Sequence, residues 1–146
     1  MKKKILISTG GSGGHVTPAI TLYEHLKSSF QVLVSSDKRG YKYFDKNTID
    51  PLIIDTPKLS RFHLIIINFP KILILIIKSF LLIKKHKIEL LISTGGYMSL
   101  PLCLGAKLSG TKIFLLEPNM VLGRSNRLFL SFSEKIFCYS KNLKKF

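Results

Sequence analysis

Lys4-Ile5-Leu6-Ile7-Ser8-Thr9-Gly10-Gly11-Ser12-Gly13-Gly14-His15-Val16-Thr17-Pro18 carries the strongest structural signal in the chain. Its first five residues read as a buried strand, apolar through the middle and stopped by glycines. Thr17-Pro18 then predicts the start of a helix, because threonine caps helices well and proline fits the first turn. Ile20, Leu22, Tyr23 and Leu26 give that helix an apolar face to about Ser28. Strand, glycine turn and helix make a βα unit, and the rest of the sequence repeats it. Further strands are expected over 31–35, 52–55, 88–93, 112–116 and 135–139, with helices over 99–108 and 125–132. The polar stretch before Leu52 has room for a short helix. Strands apolar on both faces and alternating with helices imply a parallel sheet covered on both sides. The expected fold is α/β, a doubly wound Rossmann-like domain.

In such sheets ligands sit beyond the carboxyl ends of the strands, where the strand order reverses. Two strand ends carry the same tetrapeptide, Ser8-Thr9-Gly10-Gly11 and Ser93-Thr94-Gly95-Gly96. One glycine turn is ordinary; two identical ones point to a shared site. The first turn lacks the glycine spacing of the dinucleotide fingerprint and the Gly-Lys-[Ser/Thr] of a P-loop. Its physics is similar, since glycines allow close backbone approach and a helix N-terminus offers free N–H groups. A diphosphate or an acidic sugar derivative is the natural guest. His15 stands at the mouth of this turn as a candidate general base or phosphate donor, with a helix-capping role as the plain alternative. Leu116-Glu117-Pro118-Asn119 and Gly123-Arg124-Ser125-Asn126-Arg127 follow the fifth strand. Glu117 is placed to face the crevice, or else to pair with one of many lysines. Asp37, after the second strand, stands where a ribose-binding acid would. No Asp-x-Asp occurs, so neither a metal nor a cofactor is expected.

Composition narrows the partners. The 146 residues carry 23 Lys+Arg against 8 Asp+Glu, a net charge of +15, with 46% hydrophobic residues. A disordered basic tail is excluded by the apolar content. The length suits a single domain, and the charge suits an anionic partner: nucleic acid, a phosphorylated ligand or an acidic membrane. Lysines number 19 and arginines 4, isoleucines 18 and alanines 2, a skew that matches drift toward A/T-rich codons. Few arginines also disfavour base reading in DNA. Cys103 and Cys138 have no metal-ligand spacing and are expected as free thiols in a reducing compartment. The Lys-rich start followed by Ile5-Leu6-Ile7 is too short an apolar stretch for an export signal.

The segment from Leu64 to Ile83 is very apolar, yet Asn68, Pro70, Lys71 and Lys78 interrupt it. From Pro70 on, Lys71, Lys78 and Lys85 recur every seven residues and line one helical stripe. Either this is a core helix with one solvated edge, or an interfacial helix whose lysines reach anionic head groups. It exceeds what one sheet face buries, so membrane contact without spanning is the expectation.

Together the turn Gly10-Gly11-Ser12-Gly13-Gly14-His15 with Pro18-Ala19, the turn Gly95-Gly96-Tyr97 with Pro101, and Glu117, Asn119, Gly123, Ser125, Asn126 and Arg127 resemble the MurG family. The match extends over the whole chain. Where that family reads His-Glu-Gln-Asn, this chain has Leu116-Glu117-Pro118-Asn119, and Ser12 stands for the commoner threonine. The resemblance implies a two-domain GT-B glycosyltransferase of peptidoglycan synthesis. Such an enzyme transfers GlcNAc from UDP-GlcNAc to undecaprenyl-pyrophosphoryl-MurNAc-pentapeptide (lipid I), inverting and without metal. It implies His15 or Glu117 as the catalytic base, His15 being favoured. It implies Ser12, Gly13, Gly14, Asn119, Gly95, Gly96, Tyr97 and Asn126 as substrate-binding, and a peripheral place on the cytoplasmic face of the plasma (inner) membrane. Residues 1–146 then form the N-terminal acceptor and membrane-binding domain, with the C-terminal donor domain absent and its linker starting near Lys144-Lys145-Phe146; this piece alone is expected to be inactive. The alternatives are a membrane-anchoring, acceptor-binding subunit of a split glycosyltransferase and a basic nucleic-acid-binding module. No Arg-rich recognition helix or aromatic-basic strand supports the latter, so nucleic acid is not expected.

Overall fold

A computed structural model describes residues 2–57 and 62–139, with backbone only at 62–65. The expected linker start at 144–146 lies outside the described residues. Six strands, β1 (Lys4–Ser8), β2 (Gln31–Ser36), β3 (Leu52–Ile53), β4 (Leu90–Ser93), β5 (Lys112–Glu117) and β6 (Lys135–Cys138), form one sheet in the order β3-β2-β1-β4-β5-β6. Every pairing is parallel. The doubly wound α/β expectation holds.

The helices are α1 (Gly13–Leu26), α2 (Lys38–Tyr41), α3 (Phe62–His86), α4 (Leu100–Ser109) and α5 (Arg124–Phe129), with 3₁₀ turns at Tyr97–Ser99 and Leu130–Phe132. Side chains alternate across each strand, and the buried residues sort accordingly. Leu6, Leu91, Ile113 and Leu115 pack with Ile83, Leu102 and Phe129 on the face of α3, α4 and α5. Ile5, Ile7, Val34 and Ile92 pack with Val16 and Ala19 of α1 on the other.

Several boundaries differ from expectation, among them the following three. Helix α1 starts at Gly13 rather than Thr17, with Ser12 as its extended N-cap residue (φ −116°, ψ 162°). Gly13 and Gly14 are helical, which shortens the turn and puts His15 in the first turn of the helix. Strand β4 begins at Leu90 instead of Ile88, because the turn closing α3 runs through Lys87, whose φ is 55°. Strand β3 keeps only Leu52–Ile53 of its expected four residues.

Helix α3 runs the length of the apolar segment and includes Pro70. Its buried stripe is narrow, formed by Ile72, Ser79 and Ile83, whereas Ile66, Ile67, Phe69, Leu73, Ile74, Ile77 and Leu81 are exposed, Ile67 by 71%. Lys71 and Lys78 each precede a buried position by one residue, so they flank the seam between helix and protein, beside the exposed apolar face. Among the described residues Ile66–His86 is long and apolar enough to cross a bilayer (21 residues, mean hydropathy 2.1). It packs closely on α4: a Cβ on Gly105 would lie 2.8 Å from the Phe80 backbone nitrogen and 2.9 Å from Ser79 Cβ.

Candidate functional site

The sheet order makes β1 and β4 neighbours, with Ser8 opposite Ser93. The two identical tetrapeptides therefore leave the sheet side by side, at the point where the strand order reverses. Their threonines fasten them together. The Thr94 N–H donates to Ser8 O (3.0 Å), Thr94 Oγ1 donates to Thr9 Oγ1 (2.9 Å), and Thr9 Oγ1 donates to His15 O (2.8 Å). Met98 fills the gap between the turns. A Cβ on Gly11 (φ +78°) would meet Met98 Cε at 2.6 Å, and one on Gly96 (φ +84°) would meet it at 2.8 Å. Both positions need glycine for their backbone conformation, and the end of the Met98 side chain takes up the space beside them.

The His15 imidazole crosses from one turn to the other. Its Nδ1 bonds Thr94 O at 2.8 Å; a carbonyl only accepts, so Nδ1 carries the proton and Nε2 of the neutral ring is an acceptor. The carbons flanking Nε2 lie over the second turn. Cε1 is 3.4 Å from where a Gly95 Cβ would sit, and Cδ2 is 3.7 Å from the Gly96 position. His15, Gly95, Gly96, Tyr97, Glu117, Asn119 and Asn126 line a cleft of about 500 Å³ together with 123–125.

Glu117 ends β5 and is 1% exposed. Its Oε1 accepts from Asn119 N (3.2 Å) and Asn119 Nδ2 (2.9 Å). Its Oε2 accepts from Gly123 N (2.8 Å) and Asn126 Nδ2 (3.0 Å). Four donors on one carboxylate hold the loop 118–126 in place and use both oxygens. Asn126 is equally buried, and its Nδ2 also reaches Leu116 O (3.3 Å). These two acceptors fix the amide orientation and leave Oδ1 buried with no donor. Asn126 thus shapes the floor of the cleft.

Seven of the ten site residues expected from the sequence meet here. Ser12, Gly13 and Gly14 do not line the cleft; they form the adjoining N-terminus of α1, where Ser12 makes no side-chain cap bond and Gly13 backs onto Tyr43. Thr9 and Thr94 escaped the sequence reading as functional residues, although both belong to the repeated tetrapeptide. Asp37 stands after β2, at the position a ribose-binding acid takes in dinucleotide-binding domains. It turns inward, 1% exposed, to accept from the Gly11 N–H (2.7 Å) and the Gly40 N–H (2.8 Å) on Oδ1. Its Oδ2 takes two bonds from Arg39, at 2.9 and 2.7 Å. Burial on its own raises this pKa, but the two backbone donors and the guanidinium outweigh it and hold the carboxyl below the ordinary value. Burial pushes the Tyr97 phenol above its usual value, against the pull of Arg39.

Fold and cleft together define the class: a Rossmann-like domain with the architecture of the N-terminal half of a GT-B glycosyltransferase. Residues 5–138 match the glycosyltransferase family 28 N-terminal domain, and the chain belongs to that family. It is 56% identical, over its whole length, to the UDP-N-acetylglucosamine–N-acetylmuramyl-(pentapeptide) pyrophosphoryl-undecaprenol N-acetylglucosamine transferase of Pelagibacter ubique, and spans 41% of that relative's length. The like-named protein of Wolbachia sp. subsp. Brugia malayi is 37% identical over 90% of the chain, which spans 37% of it. A crystal structure of Acinetobacter baumannii MurG shares the fold with a TM-score of 0.81 at 23% identity, covering 97% of this chain and 43% of that one. The fold recurs in a UDP-N-acetylglucosamine 2-epimerase from Rickettsia bellii (TM-score 0.73, 13% identity, 98% of this chain and 40% of that one).

Proposed function

We propose that this chain is the acceptor-side half of an enzyme that moves GlcNAc from UDP-GlcNAc to the MurNAc C4 hydroxyl of lipid I, giving lipid II. The observation that carries the mechanism is the His15 tautomer: Thr94 O holds the Nδ1 proton, and Nε2 is the acceptor beside the Gly95-Gly96 turn. In an inverting transfer the acceptor hydroxyl gives its proton to Nε2. Its oxygen bonds the anomeric carbon from the face opposite UDP, and the bond to the diphosphate breaks as UDP leaves. Glu117 does not compete for this role, because both its oxygens are occupied by loop donors. It positions Asn119, which with Gly95, Gly96 and Tyr97 contacts the sugars. Ser12, Gly13 and Gly14 offer the α1 N-terminus to the diphosphate.

Transfer needs a second, donor-binding domain, which residues 1–146 do not supply. In a turnover assay with UDP-GlcNAc and a lipid I analogue, residues 1–146 alone are expected to be inactive. Joined to the remainder of the Pelagibacter relative they are expected to turn over. His15→Asn keeps a donor for Thr94 O but has no group at the Nε2 position, so it should fold and lose activity. Robust turnover by residues 1–146 alone, or by the His15→Asn fusion, refutes the scheme.

Helix α3 lies on the cytoplasmic face of the plasma membrane in this reading. Its exposed Leu73, Ile74, Ile77 and Leu81 enter the acyl boundary while Lys71, Lys78 and Lys85 reach anionic head groups. Co-sedimentation with phosphatidylglycerol vesicles should fall sharply in Leu73→Glu/Ile77→Glu, and equal binding by the double variant would exclude α3 as the contact.

A further inference from the structure

We propose that Asp37 and Arg39 are positioning residues that lock the two glycine turns in register, so that His15 and Tyr97 address the same ligand. Asp37 is the acid the sequence offered to a ribose, and the mechanism above makes no use of it. One of its oxygens pins the first turn through the Gly11 N–H and also closes the start of α2 through the Gly40 N–H. The fit is tight, since a Cβ on Gly10 would lie 2.6 Å from that same oxygen and one on Gly40 would lie 2.7 Å from Gly10 Cα. The other oxygen holds Arg39 by two nitrogens, Nε and Nη2, in a planar fork. Held so, the guanidinium lies over the Tyr97 ring with Cζ 4.8 Å from its centre.

The chain of contacts therefore runs from the Gly11 amide through Asp37 and Arg39 to Tyr97, the residue after the second turn. Thr9, Thr94 and His15 join the turns where they leave the sheet; Asp37 and Arg39 join them again at the outer rim. Two attachments at different points fix the angle between the turns as well as their distance, and a single attachment fixes only the distance. Lysine is a poor substitute for Arg39, having charge but neither the fork nor a flat face.

The lock is tested on labelled residues 1–146 by NMR, with a kinetic arm that rests on the proposed transferase reading. Arg39→Met should shift the resonances of Gly95, Gly96, Tyr97 and the His15 ring as well as Gly11, and speed exchange of the Gly11 amide roughly tenfold or more. Arg39→Lys should recover the Gly11 amide in part but not the Tyr97 ring shift. Arg39 is partly exposed, so these variants keep the test open if Asp37→Asn fails to fold. Shifts confined to residues 36–43 would overturn the lock. In the fusion with the second domain, Arg39→Met should lower kcat/KM for the acceptor roughly tenfold at a temperature where the variant is still folded, and an unchanged kcat/KM counts against it. A wild-type fusion without turnover would fault the transferase reading and leave the NMR result standing.

Discussion

Glu117→Gln separates a positioning carboxylate from a catalytic base. Each Glu117 oxygen accepts one backbone N–H and one asparagine Nδ2, at 3.2 and 2.9 Å on Oε1 and at 2.8 and 3.0 Å on Oε2. Glutamine keeps one oxygen. In either orientation its NH₂ replaces the other and faces two donors that have no acceptor and, at 1% exposure, no water. A buried donor left unpaired costs roughly 1–3 kcal/mol, so the pair should cost about 2–6 kcal/mol, much of the roughly 5–15 kcal/mol that keeps a domain folded. For a urea slope near 2 kcal/mol/M the unfolding midpoint should drop by roughly 1–3 M. Far-UV circular dichroism of residues 1–146 in urea reads it directly. Asn119→Ala is the control: it removes one of two donors from Oε1 and leaves the acceptor occupied, so its loss should be close to about 1 kcal/mol. A catalytic base with a free oxygen would tolerate glutamine with its stability intact. A Glu117→Gln shift equivalent to less than about 0.5 kcal/mol would refute the positioning role.

Three further outcomes follow from the same geometry. The folded-state pKa of Asp37 is depressed, so its stabilisation is present in full above the ordinary carboxylate range and is lost as pH falls through that lower folded value. The stability difference between wild type and Asp37→Asn should therefore be large at pH 6 and shrink below about pH 4; parallel pH curves would contradict it. Burial pushes the Cys103 thiol up to about 12, while Cys138 is exposed. A disulfide reagent at neutral pH should find one fast thiol in the native chain and two in urea, and two fast native thiols would place Cys103 wrongly. Gly105→Ala gains about 1 kcal/mol of helix propensity but drives a Cβ into Phe80 N and Ser79. An overpacking cost of about 1–3 kcal/mol should exceed that gain, and a raised thermal midpoint would show that the α3–α4 crossing yields.

Much of this was legible in the sequence, and the rest was hidden for physical reasons. Short β-branched runs apolar on both faces, alternating with helical stretches, were enough to place all six strands, because that pattern is local. The start of α1 was not, since Gly13 and Gly14 are poor helix formers and give no local sign that they continue a helix toward Ser12. Tertiary contacts decide it: His15 reaches Thr94 O only from the first turn of α1. The direction in which α3 faces was likewise invisible, because its apolar residues surround the lysine stripe on all sides. Only the crossing with α4 at Gly105 chooses Ser79, and with it Ile72 and Ile83, as the buried side. Glu117 was found, but its four donors come from a loop whose course no local rule predicts.

The repeated tetrapeptide was the best clue in the sequence, and the structure shows why repetition mattered. Ser-Thr-Gly-Gly leaves β1 and β4 in register, yet the residues that follow send the two copies to different ends. After the first copy, Gly13-Gly14 lets a helix begin at once and delivers His15. The second copy leads into a 3₁₀ turn, with Met98 against the glycines of both turns. The β4 ladder ends at Ser93, so the carbonyl of the second threonine lies beyond it and accepts a hydrogen bond from His15 Nδ1. The hydroxyl of the first threonine meanwhile holds the His15 carbonyl. The imidazole is thus fixed from both copies at once, by its ring on one side and its backbone on the other. A change at Thr9 or at Thr94 acts on one and the same imidazole, the base of the proposed transfer, and so ties the two turns into a single unit rather than two adjacent loops.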